Sequence, residues 1–278
     1  MFKTLHLGRL LGINIYIHWT FWFLAMFVAV TSLHLGFAGA LAAVGFIFAV
    51  FVCVFLHEMG HAIAGTWFGI RTREIVLLPI GGIASMSDFP KKPLPELVVA
   101  LAGPAVNIAI AALLLLVISM KLAWSQMGAG GIASLGPLEQ LLIANLSLAV
   151  FNMIPAFPMD GGRVLRALLA IFMTYSEATR YAVRVGQISA VMMCIAGFYY
   201  WSFSLVLISG LMFLLSTGEL LRNRVQEQFA TMQDEAEDVA YRGSFPQNDS
   251  ADSPFDVHFP KGSTSSNTVD AVEVKQVR

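Results

Sequence analysis

Charge is what this 278-residue chain has least of: Asp, Glu, Lys and Arg make up 13% of it, about half the ~25% usual in soluble domains. Hydrophobic residues make up 57%, and the mean hydropathy is +0.71. These figures exclude an ordinary cytosolic enzyme, a nucleic-acid binder carrying a basic stripe, and a chain that is mostly disordered. A formal net charge of −1 gives no reason to expect a polyanionic partner. The only two cysteines, Cys53 and Cys194, lie in apolar runs without metal-ligand spacing and read as buried thiols. No phosphate-cradling glycine loop and no internal repeat is found.

The charges that exist are unevenly placed. Residues 1–221 carry eleven cationic and eight acidic side chains, and residues 222–278 carry six and ten. An apolar body over 1–221 is therefore expected, followed by a polar cytosolic tail over 222–278 that first extends the last helix and then becomes a flexible Ser/Asp/Pro-rich segment. No Asp, Glu, Lys or Arg stands between Arg9 and Glu58, a stretch too long for one crossing of ~20 residues and too long for a signal peptide. His34, Gly36 and Gly39 offer a break, giving spans near Ile17–Leu33 and from Ala38 to about Phe68. Further spans are expected over Leu97–Met120 and from Leu141, the latter interrupted at Pro155 and Pro158 and resuming over Val164–Met173. The last pair falls within a charge-free stretch from Val185 to Gly218, with helix five starting nearer Tyr181 and a turn around 199–204. Whether these two are separate spans rests on charge. With six spans and both termini in the cytosol, sixteen cations fall on one side and Lys121 alone on the other, as the positive-inside rule requires.

The expected fold is an all-α polytopic membrane protein with about six transmembrane helices and short membrane-associated β-strands. Thr72–Met86, with β-branched residues and a Gly81-Gly82 pair, reads as strand–turn–strand, and Lys3–Ile17 as a second strand pair. Val269–Val277 alternates apolar and polar and reads as a short terminal strand. Trp19, Trp22 and Trp201 suit membrane-interface positions. The thirteen methionines and twenty-one phenylalanines read as lipid-facing and packing residues.

The chemistry is concentrated in two places. His57-Glu58-Met59-Gly60-His61 ends the second span. Residues four apart share a helix face, so both imidazoles can grip one Zn²⁺, and Glu58 can serve as general base to a water there. Ionisable groups inside a span cost at least ~2.5–3.5 kcal/mol on insertion scales, so their presence asks for a purpose. A catalytic zinc takes a third protein ligand, and Asp160, in Asn152-Met-Ile-Pro-Ala-Phe-Pro-Met-Asp160-Gly161-Gly162, is the other carboxylate in apolar surroundings. Its bland alternative is a helix N-cap. The zinc would then lie roughly 15 Å inside the cytosolic face.

HEMGH closing one span and NMIPAFPMDGG in a later one resemble the site-2 protease family, intramembrane zinc metalloproteases. Gly12–Trp19, Pro79–Ala84 and Ala102-Gly-Pro-Ala-Val-Asn107 match in order and spacing, and the resemblance covers about residues 8–221. It is to the compact form, without a PDZ insertion or a cystathionine-synthase-type pair. The resemblance implies one Zn²⁺ per chain held by His57, His61 and Asp160, with Glu58 catalytic. It implies transmembrane protein substrates, including a membrane-tethered regulator first cut by another protease, and the plasma membrane as location in a bacterium. Asn152 matches the family's asparagine, where an amide could hold substrate backbone or the oxyanion. An interhelical hydrogen bond is its structural alternative. Gly103 and Asn107 read as a close-packing face. Strands over 73–87 are expected to receive an extended substrate by edge pairing. A metal-ion transporter or a silent membrane scaffold is the competing reading, but neither accounts for Glu58 beside the first histidine.

Overall fold

The computed structural model describes residues 4–79, 81–86, 92–127 and 136–243. Of the tail expected over 222–278, residues 222–243 belong to the last helix, and the remainder, with the terminal strand at Val269–Val277, lies outside them. By internal contacts the chain divides into residues 1–229 and 230–278.

Two strands, β1 (Thr4–Leu10) and β2 (Ile13–His18), open the chain. Isoleucines at 13, 15 and 17 alternate with polar or aromatic residues, and Ile13 and Ile17 are buried, which is the period-2 pattern of a half-covered strand. This takes residues from the first expected span. Helix α1 covers only Thr20–Thr31, about 18 Å at 1.5 Å per residue, against the ~30 Å of a bilayer core. A 3₁₀ turn at Leu33–Leu35 and Gly36, at φ +79°, make the break expected there. Helix α2 then runs through Gly36–Thr66.

Strands β3 (Thr72–Leu78) and β4 (Gly81–Met86) follow. The four strands form one sheet in chain order, with β1/β2 and β3/β4 antiparallel and β2/β3 parallel. Asn14 stands opposite Glu74, and Ile17 opposite Leu77. A parallel pair needs a long crossover, here made by α1 and α2. Ile13, Ile17, Phe21, Ile75 and Leu77 pack with Met59 and Ala62 of α2. The sheet is thereby pinned beside the HEMGH turn.

Helix α3 (Pro93–Met127) carries Pro104 inside it. The fourth expected span is two helices, α4 (Pro137–Asn152) and α5 (Asp160–Leu169), because Pro155 and Pro158 cannot donate helical hydrogen bonds. Helix α6 begins at Tyr175, six residues before the expected start, and runs to Tyr199. A capping box sets that start: the Thr174 hydroxyl accepts from the Glu177 N–H, and Glu177 Oε2 accepts from the Thr174 N–H at 3.2 Å. A turn at 200–202 leads to α7 (Phe203–Gly243), so the last two helices are separate. Four helical stretches are long and apolar enough to cross a membrane: Leu33–Thr66, Pro93–Ala123, Tyr175–Tyr199 and Phe203–Val225.

The packing is the reverse of a soluble domain. Alanines 62, 100, 156, 167, 178 and 182 have no exposed surface, while Phe37, Phe172 and Phe203 are about four-fifths exposed. Lipid supplies no hydrophobic drive between helices, so contact is made by small residues and polar pairs. Cys53 is buried and accepts from the Asn145 amide at 3.3 Å, and Cys194 is half-buried. Helix α5 is held by ions. The Arg166 Nε donates to Glu96 of α3 at 2.8 Å, and its Nη1 donates to Glu219 of α7 at 2.7 Å. The guanidinium also stacks over the rings of Phe157 and Tyr175, 4.9 and 5.0 Å from their centroids.

Removing Arg166 leaves Glu96, 1% exposed, as an unpaired buried charge, a loss of about 3–5 kcal/mol in such sites. Arg166→Met is therefore expected to lower the thermal midpoint in detergent. Adding Glu96→Gln to it should restore part of the loss. A midpoint unchanged in the single variant would show that the cluster does not hold α5.

Candidate metal centre

His57 and His61 project from one face of α2 and are both buried, as is Asp160. Asp160 is the first residue of α5, with Met159 at the N-cap position and no side-chain cap. The bland alternative for Asp160 thus does not describe it, since its carboxylate turns toward the histidines. His57 Nε2, His61 Nε2 and Asp160 Oδ2 lie 3.1 Å from one another in all three pairings. They are the group of potential ligands that the described residues bring together.

The other ring nitrogens determine what that convergence means. His61 Nδ1 donates to the carbonyl of Val99 at 2.7 Å, and a carbonyl can only accept. His57 Nδ1 donates to Asn107 Oδ1 at 3.1 Å. In the neutral imidazole this leaves both Nε2 atoms as acceptors. Two nitrogen lone pairs and a carboxylate oxygen then face one point with no proton among them, which is unfavourable without a cation. Tetrahedral zinc with ligands at ~2.0–2.1 Å separates them by about 3.3 Å, close to the spacing seen. The residues therefore fit a divalent cation held by three protein ligands.

Helix α3 completes the site, and this part was not legible beforehand. A Cβ on Gly103 would lie 2.3 Å from His61 Nε2 and 2.7 Å from His57 Nε2. Gly103 and Asn107 do form a close-packing face, but what they pack against is the ligand pair. The i,i+4 spacing was visible in the sequence; the helix opposite was not. Gly60, inside HEMGH, brings α2 onto α3 in the same way, since a Cβ there would sit 2.9 Å from the Ala102 carbonyl. Gly161 and Gly162 do so for the loop before α5, where a Cβ would meet Ile154 O at 2.3 Å and Phe157 N at 2.7 Å.

Glu58 is half-buried and borders β4: a Cβ on Gly82 would lie 2.4 Å from its Cγ and 3.0 Å from its Oε1. Asn152 ends α4, separated from Asp160 by the loop 153–159, and makes no side-chain hydrogen bond among the described residues. His18 pairs with the Thr20 hydroxyl at 2.7 Å, and His34 donates to the Thr31 carbonyl at 2.6 Å. Neither joins the cluster.

Loss of a partner that orients a ligating histidine typically costs 10–100-fold in metal affinity. Asn107→Ala is expected to weaken Zn²⁺ binding by about that factor, read by chelator competition. Gly103→Ala should abolish binding outright. Wild-type affinity in Gly103→Ala would show that the three atoms do not form a metal site.

Residues 45–134 and 120–195 match the model of peptidase family M50. The chain is 37% identical over 206 residues to a zinc metalloprotease of Methanocaldococcus jannaschii, covering 74% of this chain and 57% of that protein. It is 29% identical over 133 residues to stage IV sporulation protein FB of Bacillus subtilis, covering 46% and 41%. It thus spans roughly half the length of these relatives. Among solved structures, the site-2 protease from M. jannaschii superposes with a TM-score of 0.56 and 34% identity over 78% of this chain and 95% of that one. With its metal-binding geometry, its membrane-length helices and a family match over more than half its length, the chain belongs to peptidase family M50, the site-2 protease family.

Proposed function

We propose that this chain is an intramembrane zinc endopeptidase that hydrolyses peptide bonds of membrane-embedded proteins. The observation that carries the reading is the convergence of His57 Nε2, His61 Nε2 and Asp160 Oδ2 to 3.1 Å of one another, with Glu58 beside them on a membrane-length helix. The Methanocaldococcus relative is named a zinc metalloprotease, which supports the same metal here.

His57, His61 and Asp160 would hold one zinc per chain. Bound there, zinc supplies a Lewis acid that brings the pKa of a water toward ~7 and polarises the scissile carbonyl. Glu58 takes the proton from the attacking water and delivers it to the leaving amine nitrogen as the C–N bond breaks. Asn107 and the Val99 carbonyl keep both imidazoles in the tautomer that leaves Nε2 free. Asn152 is assigned to the substrate backbone or the developing oxyanion. Among the described residues β4 pairs only with β3. Its open edge, adjoining Glu58 at Gly82, suits an unwound substrate segment added as a further strand.

The arrangement in the membrane is part of the same reading. Helices α1, α2, α3, α4, α6 and α7 make six crossings, with α5 a half-helix, both termini in the cytosol, and the polar tail beginning near residue 222. In a bacterium this is the plasma membrane. Sixteen of the seventeen cations falling on one side supports this orientation, and a locally thinned bilayer accommodates the twelve residues of α1. His57 lies nine residues before the end of α2, about 14 Å along its axis, so water reaches it from that end. Substrates are single-span proteins, among them membrane-tethered regulators already cut once.

Purified wild type and Glu58→Gln, compared for bound zinc and for cleavage of single-span membrane peptides, test the proposal. Near one zinc per chain is expected in both, with cleavage by the variant reduced by about 10²–10⁴. Equal cleavage by both would remove Glu58 from the mechanism.

A further inference from the structure

A second polar site lies away from the metal centre, where the sheet meets the end of α2. A cavity of about 490 Å³ opens there, lined by Arg9, Gly12, Asn14, Gly69, Arg71, Thr72 and Arg73. Three guanidiniums thus border one cavity, and the seven lining residues include no carboxylate. The sheet register brings them together: Arg9 stands opposite Asn14, and Asn14 opposite Glu74, which follows Thr72 and Arg73 on β3. A bulge between Thr72 and Glu74 inserts Arg73 as an extra residue, a device that re-aims side chains.

Two observations point to a ligand. Thr72 is 8% exposed, and its hydroxyl has no hydrogen-bond partner. A buried hydroxyl without a partner is uncommon and asks for one. The flanking residues are also apolar where water would otherwise be expected. Leu11, between lining residues Arg9 and Gly12, is 73% exposed, and Trp67, two residues before Gly69, is 72% exposed. Helix α2 ends at Thr66, so the cavity lies just past the end of a membrane-length helix, where headgroups would lie in the proposed membrane arrangement. Exposed tryptophan and leucine beside clustered arginines are what a membrane surface favours.

We propose that this cavity binds the phosphate of an anionic phospholipid headgroup, with the three arginines as charge partners, the Thr72 hydroxyl as a further donor, and Leu11 and Trp67 against the acyl-chain side. Arginine suits this role because its planar fork can bond two phosphate oxygens at once. Such a headgroup would clamp the start of β3 to the β1–β2 hairpin and fix the sheet that borders Glu58.

The test is native mass spectrometry of the full chain in mild detergent, titrated with phosphatidylglycerol or with diacylglycerol of the same acyl chains. One retained phosphatidylglycerol per chain is expected, and no retained diacylglycerol. Arg9→Gln/Arg71→Gln/Arg73→Gln should weaken retention by on the order of 100-fold. Thr72→Val, which keeps the side-chain shape, should weaken it several-fold. Arg180→Gln/Arg184→Gln, removing exposed cations elsewhere, should leave it unchanged. Millimolar inorganic phosphate should not displace the lipid. Equal losses in both sets of arginine variants would reduce the effect to diffuse surface charge and overturn the site. Retention of diacylglycerol as tight as that of phosphatidylglycerol would exclude phosphate recognition. Displacement by inorganic phosphate would assign the cavity to a free anion.

Discussion

Three ligand atoms, two imidazole nitrogens and a carboxylate oxygen, pressed to 3.1 Å of one another form the constraint around which this molecule is organised. With both imidazoles neutral and their Nδ1 atoms donating elsewhere, such a group is stable only around a cation. The fold nevertheless brings the atoms together from segments 103 residues apart. Each neighbouring element supplies a reason why they stay. Helix α2 places both imidazoles on one face, and α3 fixes their tautomers through Val99 and Asn107. The missing side chain of Gly103 leaves the space they occupy. Helix α5 presents Asp160 at its first residue, where the N-terminal end of the helix dipole favours a carboxylate. Six residues later Arg166 ties the same helix to α3 and α7.

Holding such a site in a membrane requires a different interior from that of a soluble enzyme. Between apolar helices in lipid, close approach and polar pairs take over from hydrophobic burial. That accounts for the alanine-rich core and for the glycines at the contacts nearest the metal centre. A Cβ on Gly186 would meet Ala156 and Phe157 at 3.2–3.3 Å, so α6 packs directly on the loop that leads into Asp160. The Ser216 hydroxyl donates to the Phe157 carbonyl at 2.7 Å from α7. It satisfies a backbone oxygen that the proline-broken loop leaves without a helical partner. Gln187 and Thr217, 3.1 Å apart, join α6 to α7 by the same kind of contact.

How much of this was legible in the sequence follows from the range of each interaction. Helix–turn contacts and strand alternation are local, and they announced HEMGH, the break near Gly36 and all four strands. The loop before Asp160 was legible because proline and glycine restrict the backbone wherever they stand. What failed was the competition between local patterns. The first span was read from near residue 17, whereas β2 runs on to His18 and α1 starts only at Thr20. The start of α6 was missed although Thr174 and Glu177 carry the signature of a capping box. Asn107 and Arg166 were not legible in their actual surroundings. A polar residue in an apolar helix announces that it has a partner, but not that the partner is His57 or Glu96. Only the assembled fold supplies that.

The sheet and the metal centre are bound to each other by one further physical requirement. Backbone polar groups at membrane depth must be satisfied internally or face a water-lined cavity. Beyond β3, the outer edge of β4 has no strand partner among the described residues, and Gly82 places that strand against Glu58, well before α2 ends. An edge strand there is costly in lipid and unremarkable in water. If the site hydrolyses peptide bonds as proposed, the water path it needs would also make the open edge tolerable. A substrate strand entering it would satisfy the edge and reach Glu58 in one movement. Its own backbone groups, exposed by unwinding, would find partners on β4. On the proposed function, one water-filled space would serve both the metal centre and the open edge of the sheet.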